Sequence, residues 1–356
     1  MQLFSPLRVG DITVPNRIFM APLTRVRADE QHIAGDLIAE HYRQRASGGL
    51  LIAEATMVAG HARAFGLEPG IYSDAHAAGW KKVTDAVHAA GGRMALQLWH
   101  PGRATHPDLN GGVQSVSSSD QPIQGDTIHT PSGKQPYPTP RPLRLEEIPG
   151  IVEQFRLGAV RAKAAGFDLV ELHGAHGYLL DQFLRDGVND RTDAYGGSVE
   201  NRARLLFEVI DAAIGVFGPG RVGVRLSPLV AFNDMRDSNA PALVAHVAKG
   251  LQARGVAYLH LRHAKHDAPA EVELARVARQ HYRGVIIRNG GYTRDAAEAD
   301  LQAGLADAVA FGMAYIANPD LPERFARSAP LNQVDMATLY APGPKGYTDY
   351  PALAAV

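Results

Sequence analysis

The 356-residue chain has no cysteine, which excludes disulfides, thiolate nucleophiles, cysteine zinc sites and iron–sulfur clusters. No stretch approaches the roughly 20 apolar residues that a membrane helix needs. The opening run Met1-Gln2-Leu3-Phe4-Ser5-Pro6-Leu7-Arg8 has no basic segment followed by an apolar one, so it does not read as a secretion signal. Charge of one sign is also missing. The formal net charge is −1 with acidic and basic residues mixed, which argues against a nucleic-acid or membrane-surface partner. No Gly-x-Gly-x-x-Gly follows an early strand, so the signature of an open dinucleotide-binding sheet is absent as well. These absences lead us to expect a soluble cytoplasmic protein with small-molecule partners; monomer and homodimer both stay open.

What the chain does have is a regular alternation. At 46 % hydrophobic residues it can bury a large core. Strand-like apolar runs are read at residues 18–23, 50–57, 93–100, 168–174, 221–227, 258–262, 284–289 and 306–311. Amphipathic runs follow at 38–46, 75–90, 145–165, 198–217, 240–254, 270–282, 294–303 and 321–328. Helical spacing is clear where Val199, Ala203, Leu206, Val209 and Ile210 recur at threes and fours. Gly166 and Gly255 fall where helices would end.

Parallel strands need helical crossovers, and eight such pairs favour closure into one (β/α)8 TIM barrel spanning 1–356. Two segments break the rhythm. Residues 4–16, turning at Gly10-Asp11, read as a β-hairpin that plugs the barrel bottom. Residues 101–142, rich in Pro, Gly, Ser and Thr, follow the third strand and read as a lid over the active face.

Polar residues at the C-terminal ends of barrel strands are the candidates for chemistry. The richest run is Glu171-Leu172-His173-Gly174-Ala175-His176-Gly177-Tyr178. Two imidazoles can hold an oxygen that gains negative charge, and a phenol can deliver a proton, provided something else supplies hydride. The two histidines could equally be loop residues satisfied by backbone carbonyls, and Tyr178 could simply pack. A metal site has less support, because His-x-x-His here lacks helical spacing and a third ligand. Gln97 lies inside an apolar strand and needs a buried partner. Arg225 inside a barrel strand is costly unless it meets an anion or a polar cofactor edge. Gly290-Gly291 and Gly312 close the last two strands, where phosphate commonly binds through backbone N–H groups. The string His260-Leu261-Arg262-His263-Ala264-Lys265-His266 reads as a solvated basic loop in preference to a metal cluster.

Several blocks together resemble the old yellow enzyme family of flavin-dependent ene reductases. They are Leu3-Phe4-Ser5-Pro6-Leu7, Met20-Ala21-Pro22-Leu23-Thr24-Arg25, Gln97-Leu98-Trp99-His100-Pro101-Gly102-Arg103, His173 through Phe183, Tyr195-Gly196-Gly197-Ser198-Val199-Glu200-Asn201-Arg202, Asn318-Pro319-Asp320-Leu321 and Gly346-Tyr347-Thr348-Asp349-Tyr350-Pro351. The resemblance implies a (β/α)8 barrel that holds FMN and draws hydride from NADPH or NADH. It implies that Pro22, Leu23, Thr24, Ala55, Gln97 and Arg225 meet the isoalloxazine. Gly290, Gly291, Phe311, Gly312 and Met313 would surround the phosphate end. His173 and His176 would grip the substrate oxygen while flavin N5 gives hydride to the β-carbon and Tyr178 protonates the α-carbon. Phe65, Trp99, Phe232 and Tyr340 would shape the substrate pocket. No metal is implied.

One departure concerns Met313, which stands where members usually carry an arginine on the phosphate. Arg288 or Arg294 would then be expected to help. Two other activities are compatible with these residues: reduction of nitrate esters or nitroaromatics on the same fold, and metal-dependent hydrolysis by a barrel using the histidines.

Overall fold

The computed structural model describes residues 1–354. Eight parallel strands close into a barrel in chain order: Ile18–Met20, Leu51–Met57, Met94–Trp99, Leu169–Gly174, Val222–Leu226, Tyr258–Arg262, Val285–Asn289 and Ala308–Phe311, the last pairing with the first. They are called here the first to eighth strands. All are buried apart from the half-buried Arg262 at the end of the sixth, as expected of a parallel sheet covered on both faces. The eight strands and the helices between them match the expected alternation. The first strand stops at Met20, short of the expected end at residue 23, because Pro22 has no N–H to continue the ladder.

The crossover helices lie outside the barrel and bury one face each against it. Ala240–Arg254 shows the local logic. The Asn239 side chain accepts the Ala242 N–H at 3.2 Å at its start, and Gly255 ends it at φ +64° in the left-handed region. The expected helix at 198–217 is two pieces, Val199–Arg202 and Arg204–Phe217. The expected helix at 145–165 opens with a 3₁₀ turn, Leu145–Glu147, before Ile148–Ala164, whose second residue is Pro149. Two short helices were not anticipated, Leu179–Leu184 and Met313–Ala317. Each carries site residues at its start.

The N-terminal hairpin forms as expected, with Leu7–Val9 antiparallel to Ile12–Val14. Its turn residue Gly10 has φ +54°, and a Cβ there would lie 2.0 Å from the Gly220 carbonyl oxygen, so only glycine fits. Val9, Ile12 and Val14 pack with Phe19, Ile52 and Ala95 and close the barrel's N-terminal mouth. The open end is therefore the C-terminal one.

The segment after the third strand holds a hairpin, Thr127–Thr130 with Gly133–Pro136, and a two-residue parallel pairing of Val116–Ser117 with Arg141–Pro142. Ile123 from this segment packs with Ala55, Trp99 and Tyr178, and Tyr137 packs against that cluster. Among the described residues no helix is long and apolar enough to cross a membrane.

Candidate active site

A cavity of about 620 Å³ opens at the C-terminal ends of the strands. Pro22, Leu23 and Thr24 line it from the first strand's end, Ala55 from the second and Gln97 from the third. His173, His176 and Tyr178 enter from the fourth and Arg225 from the fifth. Gly290 and Gly291 follow the seventh, and Phe311, Gly312 and Met313 the eighth. Phe65, Phe232 and Tyr340 form an exposed aromatic rim at 39 %, 51 % and 57 % exposure. Of the residues expected to meet the flavin ring or to shape the substrate pocket, only Trp99 is off the wall. It is fully buried, edge-on to Tyr178 with ring centroids 5.2 Å apart.

Strand register explains why the polar groups converge. His173 pairs with Arg225, and Arg225 with His260, so all three point inward from neighbouring strands at one level. Gln97 pairs with Glu171 one layer below. Glu171 is fully buried and accepts Gln97 Nε2 at 2.7 Å and His260 Nδ1 at 2.8 Å. Burial alone would raise the Glu171 pKa, but His260, Arg225 and Gln97 outweigh it and hold the group ionised. His260 is driven down to about 4, chiefly by burial. The contact is therefore a neutral imidazole donating to a carboxylate. Because Gln97 spends an N–H on Glu171, its amide is fixed with the oxygen free to accept elsewhere.

The two histidines facing the cavity are neutral. Burial, and then the Arg225 charge, push both well below the usual histidine range. Their rings stand edge to face, 5.6 Å apart, and the Tyr178 ring lies 5.0 Å from that of His173. The Tyr178 hydroxyl is raised by burial and by Tyr137, so it stays protonated. It donates to no other side chain or carbonyl among the described residues.

His176 has φ +56°, a backbone state that costs a non-glycine residue about 1–2 kcal/mol. It is pinned there from both sides. Its N–H donates to Ser227 Oγ at 2.7 Å, and Asn233 Nδ2 donates to its carbonyl at 2.8 Å. Arg185 in turn holds the Ser227 carbonyl and, at 3.0 Å, that of Val230. Arg185 is itself paired to Asp181 at 3.0 Å, with both side chains buried. Asp181 also accepts the Gly177 N–H at 2.9 Å. Gly177 has φ +71°, and a Cβ there would strike Met235 at 2.6 Å and Asn233 at 2.7 Å.

These residues fit a flavin. Arg225 Nε and His173 Nδ1 are buried and unpartnered among the described residues, so both await a polar partner. Arg225 is held by Asn289 Oδ1 at 2.9 Å. Burial lowers its pKa to about 10, with Glu171 opposing, so it remains charged. At the other end Gly290 and Gly291, at φ +151° and +73°, leave the backbone bare.

Three expectations need correction. The string from His260 to His266 is not a solvated basic loop. His260 faces the barrel interior, and His263 is buried, with Nδ1 against Glu271 at 2.5 Å and Nε2 taking the Arg288 Nε–H at 3.0 Å. Of the string, Lys265 projects into solvent. Arg288 is not available to a phosphate, because it is spent on His263, Asp300 and the His266 carbonyl. Arg294 lies off the main cavity and lines a smaller neighbouring one of about 340 Å³. The hydrolase alternative loses the histidines of the string in the same way, and among the described residues no group of three or more His, Asp or Glu side chains could hold a metal.

Glu171, Asn289 and the Asp181–Arg185–Ser227 chain are not among the candidates drawn from the sequence, where His260 and Arg262 stand only as members of a basic loop. Glu171 carried a usable signal, since a carboxylate two residues before His173 on a strand shares its face.

Comparison with known proteins agrees with this geometry. Residues 2–332 match the model of the NADH:flavin oxidoreductase / NADH oxidase family. A probable flavin mononucleotide-dependent alkene reductase of Leishmania infantum is 44 % identical over 98 % of this chain and 97 % of its own length. 12-Oxophytodienoate reductase 7 of Oryza sativa subsp. japonica is also 44 % identical, over 99 % of this chain and 94 % of its own length. Among solved structures, morphinone reductase in complex with tetrahydroNAD superposes with a TM-score of 0.95 at 47 % identity, covering 99 % of this chain and 98 % of that one. The old yellow enzyme homologue of Zymomonas mobilis gives 0.96 at 42 % identity, covering 99 % and 100 %. The chain belongs to the NADH:flavin oxidoreductase / NADH oxidase family, the old yellow enzymes, and is an oxidoreductase that uses FMN with a nicotinamide hydride donor.

Proposed function

We propose that the protein is an NAD(P)H-dependent ene reductase acting on α,β-unsaturated carbonyl or nitro compounds by a ping-pong cycle in the cytoplasm. The observation that carries this reading is the trio of His173, His176 and Tyr178. It comprises two neutral imidazoles and a protonated phenol at the mouth of a cavity, with His173 and Tyr178 buried and His176 half-buried. FMN, when bound, would supply the hydride that originates from NAD(P)H and goes to the β-carbon of the alkene.

The protein's own groups do the rest. His173 and His176 each keep one ring N–H, and both donate to the substrate oxygen as it gains charge, the logic of an oxyanion hole. Neutrality matters, because a cationic imidazole would have to be desolvated beside Arg225. Tyr178 delivers its proton to the α-carbon. The edge-on Trp99 and His173 rings hold the phenol in place. Thr24 and Gln97 line the cavity and would hold the flavin's polar edge. Gln97 presents its oxygen because Glu171 takes an amide hydrogen. Arg225, charged and with Nε free, would stabilise negative charge gained by the flavin ring. Gly290, Gly291, Phe311, Gly312 and Met313 enclose the phosphate end through backbone. Phe65, Phe232 and Tyr340 frame the substrate entrance, and the 101–142 segment covers it through Ile123 and Tyr137.

The test is single-turnover reoxidation of the NADPH-reduced protein by 2-cyclohexenone and by a nitrate ester. Rapid reoxidation by the enone with formation of cyclohexanone is expected. Reoxidation by the nitrate ester alone would replace this reading with denitration.

A further inference from the structure

Arg262 is a cation of the cavity wall that the flavin chemistry leaves unused. It sits at the end of the sixth strand, in register with Asn289, and lines the cavity. Its Nη1 is buried without a hydrogen-bond partner, and among the described residues it joins no ion pair. The nearest carboxylate acting on it is Glu271, whose oxygens are taken by His263 Nδ1 at 2.5 Å and the Ala264 N–H at 2.9 Å. Among the described residues that line the cavity there are two arginines, Arg225 and Arg262, and no Asp or Glu.

Height on the barrel separates the two guanidiniums. Arg225 is level with His260, and Arg262 lies two residues further along the same strand face. Two residues of strand rise about 6–7 Å. Arg262 thus stands above the Arg225 layer, toward the mouth. His176 likewise follows His173 by three residues, and the Arg262 charge is felt at His176. A half-buried guanidinium with one buried nitrogen unpartnered lacks its full solvation, and its natural partner is a planar anion that can accept two N–H bonds.

We propose that Arg262 is a specificity-determining residue that binds a carboxylate carried by the alkene substrate, with the conjugated oxygen seated on His173 and His176. The substrate class is then an anionic enone, an unsaturated oxo-acid. This deepens the ene-reductase reading and rests on it.

The experiment compares 3-benzoylacrylate with its ethyl ester on wild-type protein, Arg262→Met and Arg262→Lys, all loaded with FMN. The acid-to-ester ratio of kcat/KM should exceed one in the wild type. It should fall about 10- to 100-fold in Arg262→Met, the range for one charge-assisted pair, and less in Arg262→Lys. Calorimetric binding of the saturated analogues, 3-benzoylpropionate and its ethyl ester, should show the same contrast without turnover. An unchanged ratio in both measurements would overturn the proposal. So would loss confined to flavin reduction by NADPH and NADH, which would assign the arginine to a dinucleotide phosphate, or loss of FMN itself. If wild-type protein reduces neither compound yet binds the acid analogue through Arg262, the ene-reductase reading fails while the anion site stands.

Discussion

The two ends of the cavity are built by different means. From the third to the sixth strand the wall is made of side chains wired to one another: Gln97 and His260 to Glu171, Arg225 to Asn289, and His176 to Ser227. From the seventh to the eighth it is made of backbone, with Gly290, Gly291 and Gly312 and the partly exposed Met313. The first end must place charge and protons within tenths of an ångström, so its groups are fixed by one another, while Arg225 Nε and His173 Nδ1 stay free for a ligand. The second has only to surround a phosphate, which backbone N–H groups can do without a cation. Mutations at the first end should therefore change chemistry, and those at the second should change only how tightly the cofactor stays.

The sharpest break of that contrast is Tyr178→Phe. It removes the proton donor and leaves hydride entry alone. Alkene reduction should slow by roughly 10²–10⁴, while NADPH reduces the flavin at near the wild-type rate, as read in separate stopped-flow half-reactions. Equal loss in both would remove Tyr178 from its role. His173→Ala should follow, slowing the alkene half-reaction by about 10²–10³ and weakening the long-wavelength band formed with p-hydroxybenzaldehyde.

Acid sharpens the comparison through stability. His260 and His100 are held neutral by burial, with pKa values near 4 and 3. The unfolded chain takes up protons below about 6.5, where the folded protein does not, so stability falls as pH drops from there toward 4. A thermal midpoint that holds steady between pH 6.5 and 4 would contradict the buried neutral assignment.

Ser227→Ala removes one bond that holds His176 at its left-handed angle. It should raise KM for the enone about tenfold with little change in flavin reduction. The smallest effect belongs to the backbone end. Met313→Arg adds a partly exposed cation and should tighten FMN only a few-fold by fluorescence titration, with kcat unmoved. A large change in kcat there would erase the distinction between the two ends.

The barrel was legible because its signal is periodic. Eight apolar runs, eight amphipathic runs and the Gly10-Asp11 turn each carry their meaning locally. The His173, His176 and Tyr178 cluster was legible because glycines concentrate it within six residues. The wiring was not, because it depends on strand register. Nothing local tells Glu171 that it will face Gln97 and His260, which lie 74 and 89 residues away. The same limit misread His260 and His263. A string of alternating basic residues suggests a solvated loop until Glu171 and Glu271 are brought against its histidines. The first strand's early end at Met20 also had a local signal, the missing N–H of Pro22, which the expected end at residue 23 overran.

The central claim is that the cavity holds FMN and passes its electrons to an activated alkene. One anaerobic titration tests it. The purified protein, supplied with FMN if needed, should absorb near ~450 nm, bleach with one equivalent of NADPH and recover fully on adding 2-cyclohexenone. Protein that stays colourless after incubation with FMN, or reduced protein that the enone fails to reoxidise, would contradict the account.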